Sequence, residues 1–441
     1  MTTTTQTAIG GSVEGVSEVS DLCVSGIGVT SAVGQGKHAF QQALLSGDHA
    51  FGYLARPGRQ LPDSDKPHDF LGAEIAGLTM PPSVSKKSLR GMSFTGQVAL
   101  ATLDEAWQEA NLQDVDPRRI GLIVGGSNVQ QRELVAMQQR YASNPNFLKP
   151  TYAMSFMDTD LCGLLTEHFG IRGLALSLGS ASASGQVAVI QAMHAVQSGQ
   201  VDVCIALGAL MDVSYWECQG FRSLGAMGSE RFFDTPELAC RIFDADRNGF
   251  IYGENCAAIV VESARHFSTR TTSQQASSET QANSQPYALI SGAGYGLDCN
   301  RNPDPSLEGE IYAIEQALAQ SGLSPNQIDY VNPHGTGSGI GDVTELNALQ
   351  HCQLDHAFIN TTKSITGHGL TAAGAVEIAA TLLQMRAGQL HPCRNLETPI
   401  ADMNWVRQHN NQPFAHRIQH ALTMSMGFGG ISSALCFSAW G

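Results

Sequence analysis

Four short segments gather the side chains best suited to chemistry. The first is SASASG at 180–185, three hydroxyls separated by small residues, with Ser182 at its centre. The second is NPHGTGS at 332–338, holding His334, Thr336 and Ser338, with Asp342 and Glu345 just behind. The third is KSITGHG at 363–369, holding Lys363 and His368, and the fourth is GFGG at 427–430, a lone ring, Phe428, among glycines. A hydroxyl, two imidazoles, an ammonium and a carboxylate are parts of a site for an activated nucleophile or a stabilised oxyanion. Each segment also has a plainer reading. Serine before a helix is commonly a cap, a histidine in a glycine turn is commonly structural, and GFGG can be a tight turn with a buried ring.

The elements that must position these segments repeat. An apolar strand (174–178), a Ser/Gly turn (179–182) and a small-residue helix (183–197) precede and follow Ser182. A strand at 357–360, a turn at 361–368 and a helix at 372–385 do the same around His368. Both helices are apolar over most of their surface, and Glu377 is the only charge in the second. Such helices are buried, and their N-termini carry unpaired N–H groups and a partial positive charge. Two further stretches match: LCVSGIG at 22–28 and ALISGAG at 288–294, each an apolar run ending in Ser-Gly-x-Gly. Strands alternating with helices predict an α/β fold of βαβ units with a mostly parallel sheet, internally duplicated. A polar, low-complexity surface loop (267–285) separates the halves, 21–266 and 286–441. The Thr-, Gly- and Ser-rich residues 1–20 read as a disordered tail.

Composition narrows the function. The chain has 441 residues, 42% hydrophobic and only 15% charged, which excludes wholesale disorder. A net charge of -15 without any long basic run argues against nucleic acid. No run of 18 apolar residues suggests a membrane span. Ten scattered cysteines with no CxxC pair point to a reducing cytoplasm rather than to a disulfide framework or zinc site. DADRNG at 244–249 imitates a calcium loop, but Asn255 stands where the bidentate Glu belongs, so no metal is expected.

Taken together and in this order, the segments resemble the β-ketoacyl-acyl carrier protein synthases of the thiolase superfamily, from about residue 22 to the C-terminus. FDADRNGF at 243–250, followed by Gly253 and Glu254, is similar to another signature of that family. The resemblance implies a thiolase fold, two βαβ halves in a layered α-β-α-β-α body, working as a homodimer. It implies a substrate carried on the phosphopantetheine of an acyl carrier protein, with no further cofactor. By resemblance Ser182 stands at the nucleophile position. His334 and His368 face the malonyl thioester, and Lys363 and Glu345 orient them. The backbone N–H groups of Ser182 and Phe428 form an oxyanion hole, Phe428 gates the pocket, and Thr336 and Ser338 hold the pantetheine arm. Carrier proteins are acidic, as this chain is, so docking needs a local basic patch. Lys86, Lys87 and Arg90 form the best cluster, and Arg222 lies in a segment resembling the family's docking side. A merely solvated charged face remains the alternative for each.

One position departs from the family: its nucleophile is Cys, and here it is Ser182. A free thiol has a pKa of about 8.5, and a helix N-terminus lowers it by about one unit. An alcohol starts near about 15.7, where one unit changes nothing. Acyl loading is therefore expected to be impaired, while decarboxylation, which needs donors and no nucleophile, survives. The resemblance then narrows to ketosynthase-like decarboxylases that convert malonyl- to acetyl-carrier protein for β-branching in polyketide pathways. Two alternatives stay open: a condensing enzyme or acyltransferase using Ser182, and a silent ketosynthase partner subunit. The sequence does not choose between malonyl and methylmalonyl.

Overall fold

The structure, a computed structural model, describes residues 22–228, 230–275, 285–400 and 412–440. The first half contributes β1 (Leu22–Ser31), α1 (Phe94–Glu109), β2 (Ile120–Gly125), β3 (Ala175–Leu178), α2 (Ser184–Gln197), β4 (Val203–Gly208), β5 (Asn255–Ser263) and α3 (Ala264–Gln275). The second contributes β6 (Ala288–Leu297), α4 (Leu307–Ser321), β7 (Tyr330–Asn332), α5 (Gly341–His351), β8 (Phe358–Ile359), α6 (Ala373–Ala387), β9 (His420–Gly427) and β10 (Ile431–Ala439). The ten strands run β8-β7-β9-β10-β6-β1-β5-β4-β2-β3 in one sheet.

Counted outward from the centre, each half follows its own strands in the order first, fifth, fourth, second, third. The pairing senses repeat too. β2 is parallel to β3 and β4, and β7 to β8 and β9. β4–β5–β1 and β9–β10–β6 are antiparallel, and β1 meets β6 antiparallel at Leu22↔Ile290. The sheet is thus mixed, not mostly parallel as the strand–helix alternation suggested. In the second half the last strand returns from its neighbour through the short 428–430 turn, too short for a crossover, so it must run the other way; the first half keeps the same sense across a long connection.

The repeated Ser-Gly-x-Gly stretches have a packing cause. Each strand shifts register at its serine, between Val24 and Gly26 and between Ile290 and Gly292. A Cβ at Gly26 would stand 2.9 Å from the Ala106 carbonyl oxygen of α1, and one at Gly28 would strike that of Thr102. Cβ atoms at Gly292 and Gly294 would strike the Ala317 and Ala313 carbonyl oxygens of α4. Glycine lets helix backbone lie directly on strand backbone.

Alternation along the strands shows the layers. In β5, Ala257, Ile259 and Val261 join a core that includes most of α2 and α6, while Cys256, Ala258 and Val260 join the core under α1. In β10, Leu435 and Phe437 face the same α2/α6 core, and Ala434 and Cys436 face the core under α4 and α5. Helices therefore lie between the two half-sheets and outside each, the expected α-β-α-β-α body.

The expected tail (1–20) and residues 276–284 of the expected loop lie outside the described residues. Residues 267–275 of that loop are helical, as the greater part of α3. Phe267 and Thr271 are buried, Arg270 Nε donates to Glu262 at 2.9 Å, and His266 Nδ1 lies 2.7 Å from the same carboxylate. Two buried side chains and a shared carboxylate hold a helix whose Ser/Thr-rich composition shows no apolar stripe.

Candidate active site

Ser182 lies in a single 3-10 turn, Ala181–Ala183, that runs into α2. The turn is strained: Ala181 has φ 47°, left-handed for a residue with a Cβ. Ser184 closes it, accepting from Ser180 N–H at 2.9 Å and donating to the Ala181 carbonyl at 2.7 Å. The capping role open to Ser182 thus falls to its neighbour. Ser182 is half-buried in the wall of a cavity of about 500 Å³, and among the described residues no side chain hydrogen-bonds its hydroxyl. Cys162 and Cys204 cannot replace it. Burial pushes both thiols up, that of Cys204 to about 12, and neither lies in the cavity wall.

His334 follows β7 in a loop that two carboxylates of α5 anchor. Glu345 accepts the His334 N–H at 2.5 Å and the Gly335 N–H at 2.7 Å. Asp342 accepts the Thr336 N–H at 3.2 Å and the Gly337 N–H at 2.9 Å. At i and i+3 the two acids share one helix face, which explains their spacing. Glu345 therefore orients His334 through its backbone. Thr336 and Ser338 lie in the same cavity wall. The Ser338 hydroxyl accepts from Gly341 N–H at 2.9 Å and keeps its own hydrogen to donate.

Lys363 is 2% exposed; its ammonium donates to the His334 carbonyl and to Glu377, and lies 3.5 Å from His334 Nδ1. His368 Nδ1 accepts the Leu370 N–H at 3.3 Å. With Nδ1 an acceptor on both rings, Nε2 carries the hydrogen on each. The rings meet edge to face at 5.5 Å, and Phe250 stands edge-on to His368 at 5.1 Å. Burial, then the Lys363 charge, holds both imidazoles well below the usual histidine range. Both are neutral donors at pH 7.

The turn between β9 and β10 carries Phe428, which is exposed in the cavity wall with its ring 6.5 Å from Phe221. A Cβ at Gly427 would strike the Ser180 carbonyl, so this turn sits directly on the Ser182 turn. Ser182, His334, His368, Glu345, Thr336, Ser338 and Phe428 thus line one cavity, with Lys363 behind it. Lys86, Lys87 and Arg90 are exposed at the helix Lys86–Leu89 and its end, outside that wall. Arg222 adjoins the wall residue Phe221, but its guanidinium is engaged: it donates to the Asp69 carbonyl at 3.2 Å and lies 4.6 Å from the Phe70 ring centroid. Glu377, the counter-charge to Lys363, was not singled out as a site residue. Its signal was visible as a lone carboxylate in an apolar helix, which must find a buried partner.

Models of the β-ketoacyl synthase N-terminal and C-terminal domains match residues 20–266 and 287–397. The chain is 54% identical over 417 residues to the polyketide biosynthesis malonyl-ACP decarboxylase PksF of Bacillus subtilis (strain 168), covering 94% of this chain and 96% of that one. It is 30% identical over 429 residues to 3-oxoacyl-[acyl-carrier-protein] synthase 1 of Haemophilus influenzae, covering 95% and 98%. A β-ketoacyl synthase crystal structure from Burkholderia phymatum shares the fold, with a TM-score of 0.84 at 24% identity over 96% of this chain and 100% of that one. Matched in both halves, and carrying a histidine pair in the cavity between them, the chain belongs to the β-ketoacyl synthase family.

Proposed function

We propose that this chain removes carbon dioxide from malonyl-acyl carrier protein in polyketide biosynthesis, leaving acetyl-acyl carrier protein. The observation that carries the reading is an alcohol without a base at the nucleophile position, beside two neutral imidazole donors. Its similarity to PksF points the same way. An alcohol near a pKa of about 15.7 needs a close general base to attack a thioester. Here the imidazoles are occupied on one side by Lys363 or the Leu370 N–H, and neither is bonded to Ser182.

Decarboxylation asks for something else. As the bond to the carboxylate breaks, its electrons pass into the thioester enolate. The Nε2–H groups of His334 and His368 are aimed at the enolate oxygen, each worth about 2.7–4 kcal/mol. Lys363 and Glu345 fix His334, and the Leu370 N–H orients the His368 ring. The backbone N–H groups of Ser182 and Phe428 form the oxyanion hole of any acyl step, Phe428 gates the pocket, and Thr336 and Ser338 hold the pantetheine amides. No bound cofactor enters these steps.

The partner is an acyl carrier protein, which docks on Lys86, Lys87, Arg90 and the side of the helix Tyr215–Ser223 that carries Arg222. A second copy of the chain pairs at the β3 edge. That edge strand ends the sheet and exposes Leu176, and the segment before it in the chain exposes Phe147 (71%), Met154 (57%) and Phe156 (55%), the kind of apolar surface a partner covers. Among the described residues no helix is long and apolar enough to cross a membrane, and ten free thiols, nine of them buried, suit a reducing cytoplasm.

The test is mass spectrometry of malonyl-loaded carrier protein after incubation with the enzyme. Acetyl-carrier protein with no acyl group on Ser182 is expected. An elongated ketide built through an acyl-Ser182 adduct overturns the reading.

A further inference from the structure

An enolate that no acyl group captures must be captured by a proton. A condensing enzyme has no such requirement; a decarboxylase has it on every turnover. The histidines are poor sources. Both are neutral, and giving up Nε2–H would leave an imidazolate next to the charge it had been stabilising.

The cavity wall holds a further acid. Glu310, in the first turn of α4, is 2% exposed, lines the same cavity as His334, and has no hydrogen-bond partner for Oε2 among the described residues. A buried carboxylate left without a donor is costly; a buried carboxylic acid much less so. Its surroundings favour the acid. From α5 it faces Glu345 and, beyond it, Asp342, whose oxygens are spent on backbone N–H groups. From the loop before α4 the wall adds Asp298 and Asp304. β10 presents Ser432 there, and the titratable groups of the packed strands are Tyr295 and Cys436, whose thiol burial pushes up to about 12. Lys363 is committed to Glu377 and the His334 carbonyl. Burial, then Coulombic repulsion from Glu345, raises the Glu310 carboxyl well above the ordinary range, which favours its protonated form.

We propose that Glu310 supplies the proton that converts the enolate to acetyl, an assignment that rests on the decarboxylase reading above. After carbon dioxide leaves, the Glu310 O–H bond breaks and a C–H bond forms at the former malonyl C2. The electron pair of the enolate becomes that bond, and Glu310 is left as carboxylate. Solvent reprotonates it through the cavity mouth. One proton is consumed for each carbon dioxide released.

The experiment uses the full chain and malonyl-carrier protein, comparing wild type with Glu310→Gln and Glu310→Asp. Reactions run in equal parts H2O and D2O, and the CH3 to CH2D ratio of the acetyl product is read by mass spectrometry. A carboxylic acid and bulk water select between isotopes differently, so Glu310→Gln is expected to shift the ratio and Glu310→Asp to restore it in part. Turnover of Glu310→Gln is expected to fall by about 10²-fold. The wild-type activity should fall as pH rises through the raised Glu310 value, since the protonated form is the working one, and that alkaline limb should vanish in the Gln variant. The isotope ratio decides: a folded Gln variant with the wild-type ratio overturns the proposal whatever its turnover. If wild type itself forms no acetyl-carrier protein, it is the decarboxylase reading that fails.

Discussion

The turn that holds Ser182 has a twin in the other half, and the two are put to opposite uses. Ala181 (φ 47°) and Leu370 (φ 50°) occupy the same left-handed place. Each opens a 3-10 turn, Ala181–Ala183 or Leu370–Ala372, that runs straight into α2 or α6. Thr371 therefore stands where Ser182 stands. It is 2% exposed, and its hydroxyl donates to the Ala209 carbonyl at 2.8 Å. Ala209 follows β4 just as Phe428 follows β9. Both turns reach the cavity wall, but Thr371 is nearly fully buried with its hydroxyl tied to a carbonyl, whereas Ser182 is half-buried, faces a phenyl ring and keeps its hydroxyl unbonded. Backbone strain is thus a device of the duplicated fold, needed where two helices start side by side, and by itself it marks no nucleophile. The chemistry differs two residues earlier, where the second turn has His368 and the first has Gly179.

The sharpest test of that asymmetry is to remove the donors that only the second half carries. His334→Ala or His368→Ala should each cost about 2.7–4 kcal/mol of barrier, or roughly 10²- to 10³-fold in acetyl-carrier formation. Substitutions in the first turn should come nowhere near this. If a Ser182 variant proves as damaging as either histidine variant, the division of labour between the turns is wrong.

Stability should show the opposite pattern, with both turns behaving alike. A Cβ at Gly185 would lie 2.8 Å from the Ala375 nitrogen, and one at Gly374 would lie 2.9 Å from the Gln186 nitrogen. These are reciprocal contacts between the first turns of α2 and α6. Gly185→Ala and Gly374→Ala should each destabilise by about 1–3 kcal/mol, the usual cost of overpacking. Urea unfolding measures this. Loss of stability on one side only would mean that the likeness of the two turns is superficial.

Much of this was legible in the residues. The Ser-Gly-x-Gly starts and the two small-residue helices gave away the duplication, because close backbone approach leaves only glycine and alanine as options at those places. The four motif segments gave His334, His368 and Lys363 because side chains that converge on a cavity sit on short loops between elements. What stayed hidden depends on tertiary partners. Glu377 reads as a stray charge in the sequence, because its partner Lys363 is brought to it only by the tertiary fold. The role of Asp342 needed the backbone N–H groups of the 336–337 loop. Residues 267–275 read as a linker because that helix is held by Arg270 on Glu262 of β5 and by the Phe267 ring against Trp440, not by an apolar stripe of its own. Glu310 belonged to no motif, and a glutamate in a first helical turn is ordinarily a solvated charge favoured by the helix dipole.

The smallest expected effect is the most telling. Where a hydroxyl is a true nucleophile, deleting it costs about 10⁶-fold in kcat. Ser182→Ala should instead leave most of the rate of acetyl-carrier formation, since the Ser182 hydroxyl holds no partner among the described residues and the donors to the enolate stand elsewhere. Ser182→Cys carries the comparison further. A thiol at the start of α2 begins near a pKa of about 8.5, and the helix N-terminus moves it toward the thiolate. The same cavity should then accept an acyl group, seen as a mass increase on the enzyme that wild type does not show. Thr371→Cys should gain no such adduct, because that side chain, although in the cavity wall, is 2% exposed and directed at the Ala209 carbonyl. If both cysteine variants load, the cavity is open to either turn. If neither loads, the pocket has lost acyl binding along with its thiol, and the change from Cys to Ser was only one part of the departure from condensation.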